Sequence, residues 1–213
     1  MNNLRRLKQK FKYNSLFRIL HDGLVKTGLK ISFFYLVEEG LNLSPDKFEN
    51  KEFKDYSLEF LKEENIDQIC LIPERPRKKE ILINQLRNGC SCLVFKKDDG
   101  IVGYTWFNIY VCNFNAYKFS LKENEAYLFD AYVLIKFRGK NIAPFIRYKC
   151  YKELEKLGRT RLYSISETVN KQSINFKKKL NAKFVLLALY VCLFKKWTYS
   201  KALKKFNTEK RYA

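Results

Sequence analysis

The sequence predicts a mixed α/β fold, a sheet flanked by helices, with a basic helical extension in front of it. Three observations predict this. Residues 126–134 form a run rich in Tyr, Phe, Val and Leu, the composition of a strand. A short basic turn, Lys136-Phe137-Arg138-Gly139-Lys140-Asn141, follows at once. Ile142, Phe145, Ile146, Lys149, Cys150, Glu153, Leu154 and Leu157 then fall on one helical face, mostly apolar, before Gly158 ends the run. Pro144 lies in the first turn, where its missing N–H costs nothing. A strand entering a helix through such a turn aims free backbone N–H groups at whatever lies above it, and the helix dipole favours an anion there. The stretch 125–158 therefore reads as a phosphate site.

The other elements follow in order. Residues 1–30 carry eight Lys or Arg against Asp22 alone, and Leu16, Ile19, Leu20, Gly23, Leu24 and Thr27 trace a partly apolar stripe that Gly28 stops. Two readings stand for it: a helix packed on the domain with its charges in water, which is the commoner meaning of amphipathicity, or a cationic helix lying on a membrane surface. Charges interrupt every apolar run there and no cleavage site follows, which argues against a secretory signal. Residues 31–37 read as a strand, 38–54 as a polar connection containing Pro45, and 55–61 as an alternating strand. Residues 63–72 and 76–87 read as short helices, the second ended by Asn88-Gly89. Runs 90–96 and 101–111 flank Lys97-Asp98-Asp99-Gly100, an Asp-Gly hairpin signal. Residues 113–124 read as a loop or ragged edge, and 161–168 as a strand. Ser173, Phe176 and Leu180 share a helix face, which sends Lys177, Lys178 and Lys179 toward water. Residues 182–194 are the most apolar run, too short for a spanning helix, which needs about 20 residues, and so read as a buried strand. The chain is thereby divided into an extension, 1–30, a domain, 31–199, and a loose basic tail, 200–213.

Composition sets outer bounds. Forty-two Lys plus Arg against 22 Asp plus Glu leave a formal charge of +20, which favours anionic partners: nucleotides, nucleic acid or lipid headgroups. A Lys-, Tyr- and Phe-rich composition also arises as a proteome-wide bias, so charge alone decides little. Six cysteines lie in mostly apolar runs without Cys-x-x-Cys spacing, the usage of a reduced cytoplasmic protein. His21 is the single histidine, which argues against a His-containing zinc site and against a serine–histidine triad. RNA-binding aromatic signatures and a helix-turn-helix are missing, which argues against specific nucleic-acid binding.

The turn also carries a resemblance. Arg138, Asn141 and Ala143 fall where the GNAT N-acyltransferase superfamily has Arg/Gln-x-x-Gly-x-Gly/Ala. Tyr132-Val133-Leu134 resembles that family's central strand, and Asn170-Lys171-Gln172-Ser173 through Lys179-Leu180-Asn181 resembles its Asn-x-x-Ala/Ser segment with the following Lys-Leu-Gly. The likeness extends more weakly over residues 55–197. It implies a strongly curved central sheet and an acetyl-coenzyme A (or other acyl-coenzyme A) co-substrate, with no metal. Arg138, Gly139, Lys140, Asn141, Ile142 and Ala143 would cradle its pyrophosphate. N–H groups near a strand bulge, at about Val133 and Leu134, would serve the carbonyl oxygen, each such donor typically contributing about 3 kcal/mol. Asn170 would bond the pantetheine arm, or else simply cap its own helix. The hairpin would face the acceptor. Asn141 stands where the family has glycine, Asn181-Ala182 where it has Gly-Phe, and Lys177 where it has the tyrosine that protonates the leaving thiolate.

The implied activity is N-acyl transfer, acetyl foremost, to the amine of a small-molecule or peptide acceptor. Direct transfer in a ternary complex is expected, since no cysteine or serine sits in an evident nucleophile motif with a histidine. The rival class is a non-catalytic fold that uses its cationic surface to hold nucleic acid or membrane. Two carboxylates are candidate bases. Asp130 lies between Phe129 and Ala131, and strict alternation puts it on one face with Leu128, Tyr132 and Leu134. It is either a base moved by desolvation or a buried structural acid bonded to a neighbour. Glu167, at the end of the next strand, is the second candidate. Lys177 either donates a proton or is a solvated charge, and Tyr104 and Trp106 either line an acceptor pocket or, more in keeping with aromatics, fill the core. A cytoplasmic location is expected, with peripheral contact to the inner membrane face through residues 1–30. Acceptor identity and oligomeric state stay open.

Overall fold

The structure, a computed structural model, describes residues 28–40, 53, 55–98, 100–115, 117–194 and 196–206. The basic helix expected in the N-terminal extension, residues 1–27, lies outside them, as does most of the 38–54 connection. In chain order the elements are β1 (Leu29–Glu38), β2 (Tyr56–Phe60), α1 (Asp67–Cys70), α2 (Lys79–Arg87), β3 (Cys90–Lys97), β4 (Gly100–Asn108), β5 (Val111–Phe114), β6 (Tyr117–Ser120), β7 (Glu125–Val133), α3 (Ile142–Lys156), β8 (Arg161–Glu167), α4 (Lys171–Lys179), β9 (Lys183–Leu193) and β10 (Trp197–Lys205). The fold is mixed α/β, as the alternation of patterns predicts. Two compact units divide the chain: Met1–Glu39 with Asn113–Lys118 and Ser164–Ala213, and Gly40–Cys112 with Phe119–Tyr163.

The second unit holds the predicted phosphate turn. Its strands run in the order β7-β4-β3-β2, and β2–β3, β3–β4 and β4–β7 are all antiparallel. Each face has its own apolar cluster. Ile66, Ile69, Ile72 and Leu82, from α1 and α2 and the segments beside them, pack with Cys92, Val94, Tyr104 and Trp106. On α3, Ile142, Phe145 and Ile146 pack with Phe95, Val102 and Val133. Val102 changes sides through a register shift: Phe95 faces Gly103 while Lys96 faces Ile101, so β4 has one residue more than β3 there. Tyr104 and Trp106 are at most 1% exposed, which puts them in the core.

In the first unit the order is β10-β9-β1-β8, with β9 antiparallel to both its neighbours. Phe114 and Tyr117, from the β5–β6 pair, set their rings edge-on to Phe34 at 5.3 and 5.5 Å. Two expectations are corrected here. Residues 113–124 are not a shapeless loop, since β5 and β6 pair with each other. Ser200 to Lys205 are not loose tail, because β10 runs through them and pairs with β9 from Trp197↔Leu193 to Lys205↔Leu186. A break in that register between Ala202 and Lys204 leaves Leu203 out of the ladder.

At Gly103, β4 lies close to both β7 and α3. A Cβ there would lie 2.7 Å from the Tyr132 carbonyl oxygen, 2.8 Å from Ile146 Cδ1 and 3.2 Å from Val133 Cγ2. The first contact is backbone and cannot rotate away. Gly103→Ala is therefore expected to lower unfolding free energy by about 2 kcal/mol. Urea denaturation followed by tryptophan fluorescence checks it, and a shift under half that size would mean that β7 and α3 yield.

Candidate functional site

β7 ends at Val133, Leu134 caps a single helical turn over Ile135–Phe137, and Arg138 leads into Gly139. Gly139 has φ 90° and Asn141 φ 56°, both left-handed. Asn is among the few non-glycine residues that adopt this region readily, so the departure from glycine at 141 leaves the turn intact. Asn141 opens α3, fifteen residues long, and its carbonyl takes the Phe145 N–H at 3.2 Å. No acidic residue lies in the first turn of α3. The helix thus brings no carboxylate of its own first turn to its positive end. Gly139, Lys140 and Asn141 are exposed, and a Cβ on Gly139 would meet nothing within 4 Å. Ile142 is buried under the turn and Ala143 is partly buried.

The Arg138 side chain turns back on the strand. Its Nε donates to the Val133 carbonyl at 3.0 Å, and its guanidinium stands over the Tyr132 ring, 5.3 Å from the centroid. The expected pair of oxyanion donors needs correction. Leu134 N–H donates to the Val102 carbonyl at 2.9 Å, so it is spent in the sheet. Antiparallel alternation then turns the Val133 N–H away from β4, so of that pair it is the one β4 does not take.

Three residues earlier β7 bulges. Tyr132 faces Tyr104 and Phe129 faces Trp106, so Asp130 and Ala131 together oppose Thr105 alone. Asp130 takes φ 47°. The bulge breaks the alternation expected from sequence: Phe129 and Tyr132, not Leu128 and Tyr132, pack against the same cluster. Nor is Asp130 isolated among apolar neighbours. Its Oδ1 lies 2.5 Å from Arg75 Nη2, and its Oδ2 accepts from Arg77 Nη1 at 2.9 Å. Arg75 Nη1 also donates to the Tyr104 hydroxyl at 3.0 Å, and its guanidinium lies 5.0 Å from the centre of the Tyr132 ring. Burial opposes the Arg75 charge, but Asp130 and both tyrosines favour it, and the net effect is a pKa above the ordinary value. Burial, with Asp130 beside it, pushes the Tyr104 hydroxyl well up, and burial also raises Tyr132.

The sequence reading missed Arg75 and Arg77. A signal was present: Pro73-Glu74-Arg75-Pro76-Arg77 is a proline-punctuated turn segment that carries two arginines two positions apart.

The remaining candidates lie in the first unit. Glu167 Oε1 is 3.9 Å from Lys30 Nζ, and both side chains are partly exposed. Asn170 caps α4, its Oδ1 accepting from the Ser173 N–H at 3.1 Å. Lys177 is not solvated, at 2% exposure. It lies one turn from Ser173 and three residues from Leu180, on the inward stripe of α4. All six cysteines are free thiols. Among the described residues no three His, Cys, Asp or Glu side chains gather as a metal site would need, and no helix is long and apolar enough to cross a membrane.

A strand, an exposed left-handed turn and the N-terminus of a helix, with a bulge upstream, make up the candidate site. Residues 54–182 match the model of the Acetyltransferase (GNAT) family, well over half of the chain, and the chain belongs to that family. No curated protein matches it. Solved structures share the fold at low identity. The glucosamine N-acetyltransferase region of a fungal multi-domain GH3 β-N-acetylglucosaminidase aligns with TM-score 0.57 and 14% identity, over 91% of this chain and 23% of that one. A protein described as a GNAT-family acetyltransferase from Novosphingobium aromaticivorans aligns with TM-score 0.54 and 10% identity, over 83% and 69%. A Drosophila protein aligns with TM-score 0.54 and 14% identity over 83% of this chain, which spans 57% of that protein's length.

Asp130→Asn keeps a residue that accepts the left-handed backbone but removes the charge between two arginines. Breaking a fully buried pair costs several kcal/mol, and these side chains are partly exposed, so a loss of about 1–2 kcal/mol is expected. Chemical denaturation measures it; wild-type stability in the variant would mean that the arginines are indifferent to their counterion.

Proposed function

We propose that the protein is an N-acetyltransferase that moves an acetyl group from acetyl-coenzyme A directly to an amine of a small-molecule or peptide acceptor. The observation that carries this reading is the turn between β7 and α3, in a chain of the GNAT family. Its chemistry suits a pyrophosphate: left-handed Gly139 and Asn141, an acid-free first helical turn, and the cations Lys136, Arg138 and Lys140 close by. Arg138, Gly139, Lys140, Asn141, Ile142 and Ala143 would hold the donor, which brings the thioester carbonyl that the amine attacks. The Val133 N–H, not taken by β4, would serve the carbonyl oxygen.

A covalent acyl-cysteine route is disfavoured by the thiols themselves. Burial pushes Cys112 up to about 12 and Cys92 well above its ordinary value, so neither offers a thiolate near neutrality. Asp130 has both oxygens engaged by arginines, which makes it a holder of those arginines more than a receiver of the amine's proton. Glu167 is the freer of the two candidate carboxylates.

Calorimetric titration with acetyl-coenzyme A, followed by an amine panel, tests the reading. The wild type should bind the donor, and Gly139→Asp should weaken binding by about tenfold or more, since it sets a carboxylate among groups that receive phosphate. Gly139→Ala isolates the backbone cost of a Cβ at φ 90° and should weaken binding less. A folded Gly139→Asp variant that binds within twofold of wild type would remove the turn from the donor site.

A further inference from the structure

From the same cluster we infer that the acceptor is an amine carrying an anionic group, a carboxylate or phosphate, which Arg75 and Arg77 receive beside the β7 bulge. The inference rests on the N-acetyltransferase reading and deepens it.

Two guanidiniums converge on the single carboxylate of Asp130. A third, Arg138, also stands over the Tyr132 ring, so Arg138, Tyr132, Arg75, Asp130 and Arg77 are joined contact by contact. Glu74, the next acid acting on Tyr132, is exposed. Arg75 spends its hydrogen bonds on Asp130 and Tyr104. Arg77 spends only Nη1, and its Nε and Nη2 have no side-chain partner among the described residues. A guanidinium has five N–H donors in a rigid fork and matches carboxylate and phosphate oxygens two at a time.

Position favours a ligand over a purely structural role. That series of contacts begins at the turn assigned to the donor's pyrophosphate and ends past the bulge, along the strand on which the donor would lie. Arg75, Tyr132 and Arg77 are all partly exposed. Asp130 fixes both arginines while the site is empty, and an incoming anion would share them with it. A neutral or polycationic amine would meet, at Asp130, oxygens already covered by the two arginines.

Matched acceptors test this: an α-amino acid, the amine left by removing its carboxylate, and the corresponding aminophosphonate, each assayed for coenzyme A release with saturating acetyl-coenzyme A. In the wild type kcat/KM for the two anionic members should exceed that for the neutral amine by about tenfold or more. Arg77→Gln should cut that ratio to about threefold or less, and Arg77→Lys should restore part of it, more for the phosphonate, which a point charge suits better than a carboxylate. Calorimetric binding of coenzyme A to each variant serves as the folding check. A neutral amine used as well as the anionic ones, or a ratio that survives Arg77→Gln, overturns the inference and leaves the acetyltransferase reading standing. Coenzyme A binding without turnover of any anionic member overturns it in the same way. A wild type that does not bind coenzyme A at all fails the acetyltransferase reading, and this inference with it.

Discussion

A single carboxylate between two guanidiniums holds the functional end of the second unit together. Without Asp130, Arg75 and Arg77 would face each other across a few ångströms. Two like charges roughly 5 Å apart at an effective dielectric near 20 repel by about 3 kcal/mol. With it, the proline-punctuated connection between α1 and α2 is tied to a defined point on β7. The tie works only because β7 bulges there and Asp130 accepts a left-handed backbone. The backbone irregularity and the ion pair depend on each other: one presents the carboxylate, the other gives the irregular residue a place to bond.

Below that tie lies the apolar platform that aims α3. Ile142, Phe145 and Ile146 anchor the first turn of the helix on Phe95, Val102 and Val133. The bare α-carbon of Gly103 lets strand and helix meet closely. The exposed turn 139–141 is thus carried by buried residues on both sides, β7 before it and Ile142 after it. This is how a loop keeps a fixed geometry while its own side chains face water. Tyr132 connects the two regions through its ring, with Arg138 on the loop side and Arg75 on the bulge side.

What the sequence made legible was local. The strand, turn and helix of 125–158 rest on periodicities and turn residues a few positions apart, and the structure has them close to where the pattern places them. The Asp-Gly hairpin of β3 and β4 was equally plain. The bulge was not, because it is defined by the register against β4, in which two residues of β7 meet Thr105. The arginine partners of Asp130 lie more than fifty positions away in sequence, and no short-range pattern connects them. Lys177 misled in the opposite sense: a run of three lysines suggests a wet face, yet the helical stripe through Ser173 and Leu180 takes the first of them inward. β5 and β6 escaped notice because their anchors, Phe114 and Tyr117, find their partner ring at Phe34, far back in the chain. β10 escaped because its sequence looks like a charged tail until β9 is beside it.

That last strand has a consequence for how the molecule meets its own copies. β10 stands at the margin of its unit, with almost every residue exposed and an outer line of peptide groups that another strand could extend. Lys201, Lys204 and Lys205 line it, and the slip between Ala202 and Lys204 bends the ladder just where an added strand would need it straight. A second molecule approaching in register would bring lysine against lysine along a kinked track. The margin is self-excluding: the chain carries in its last strand a guard against the stacking that its aromatic-rich sheets would otherwise invite.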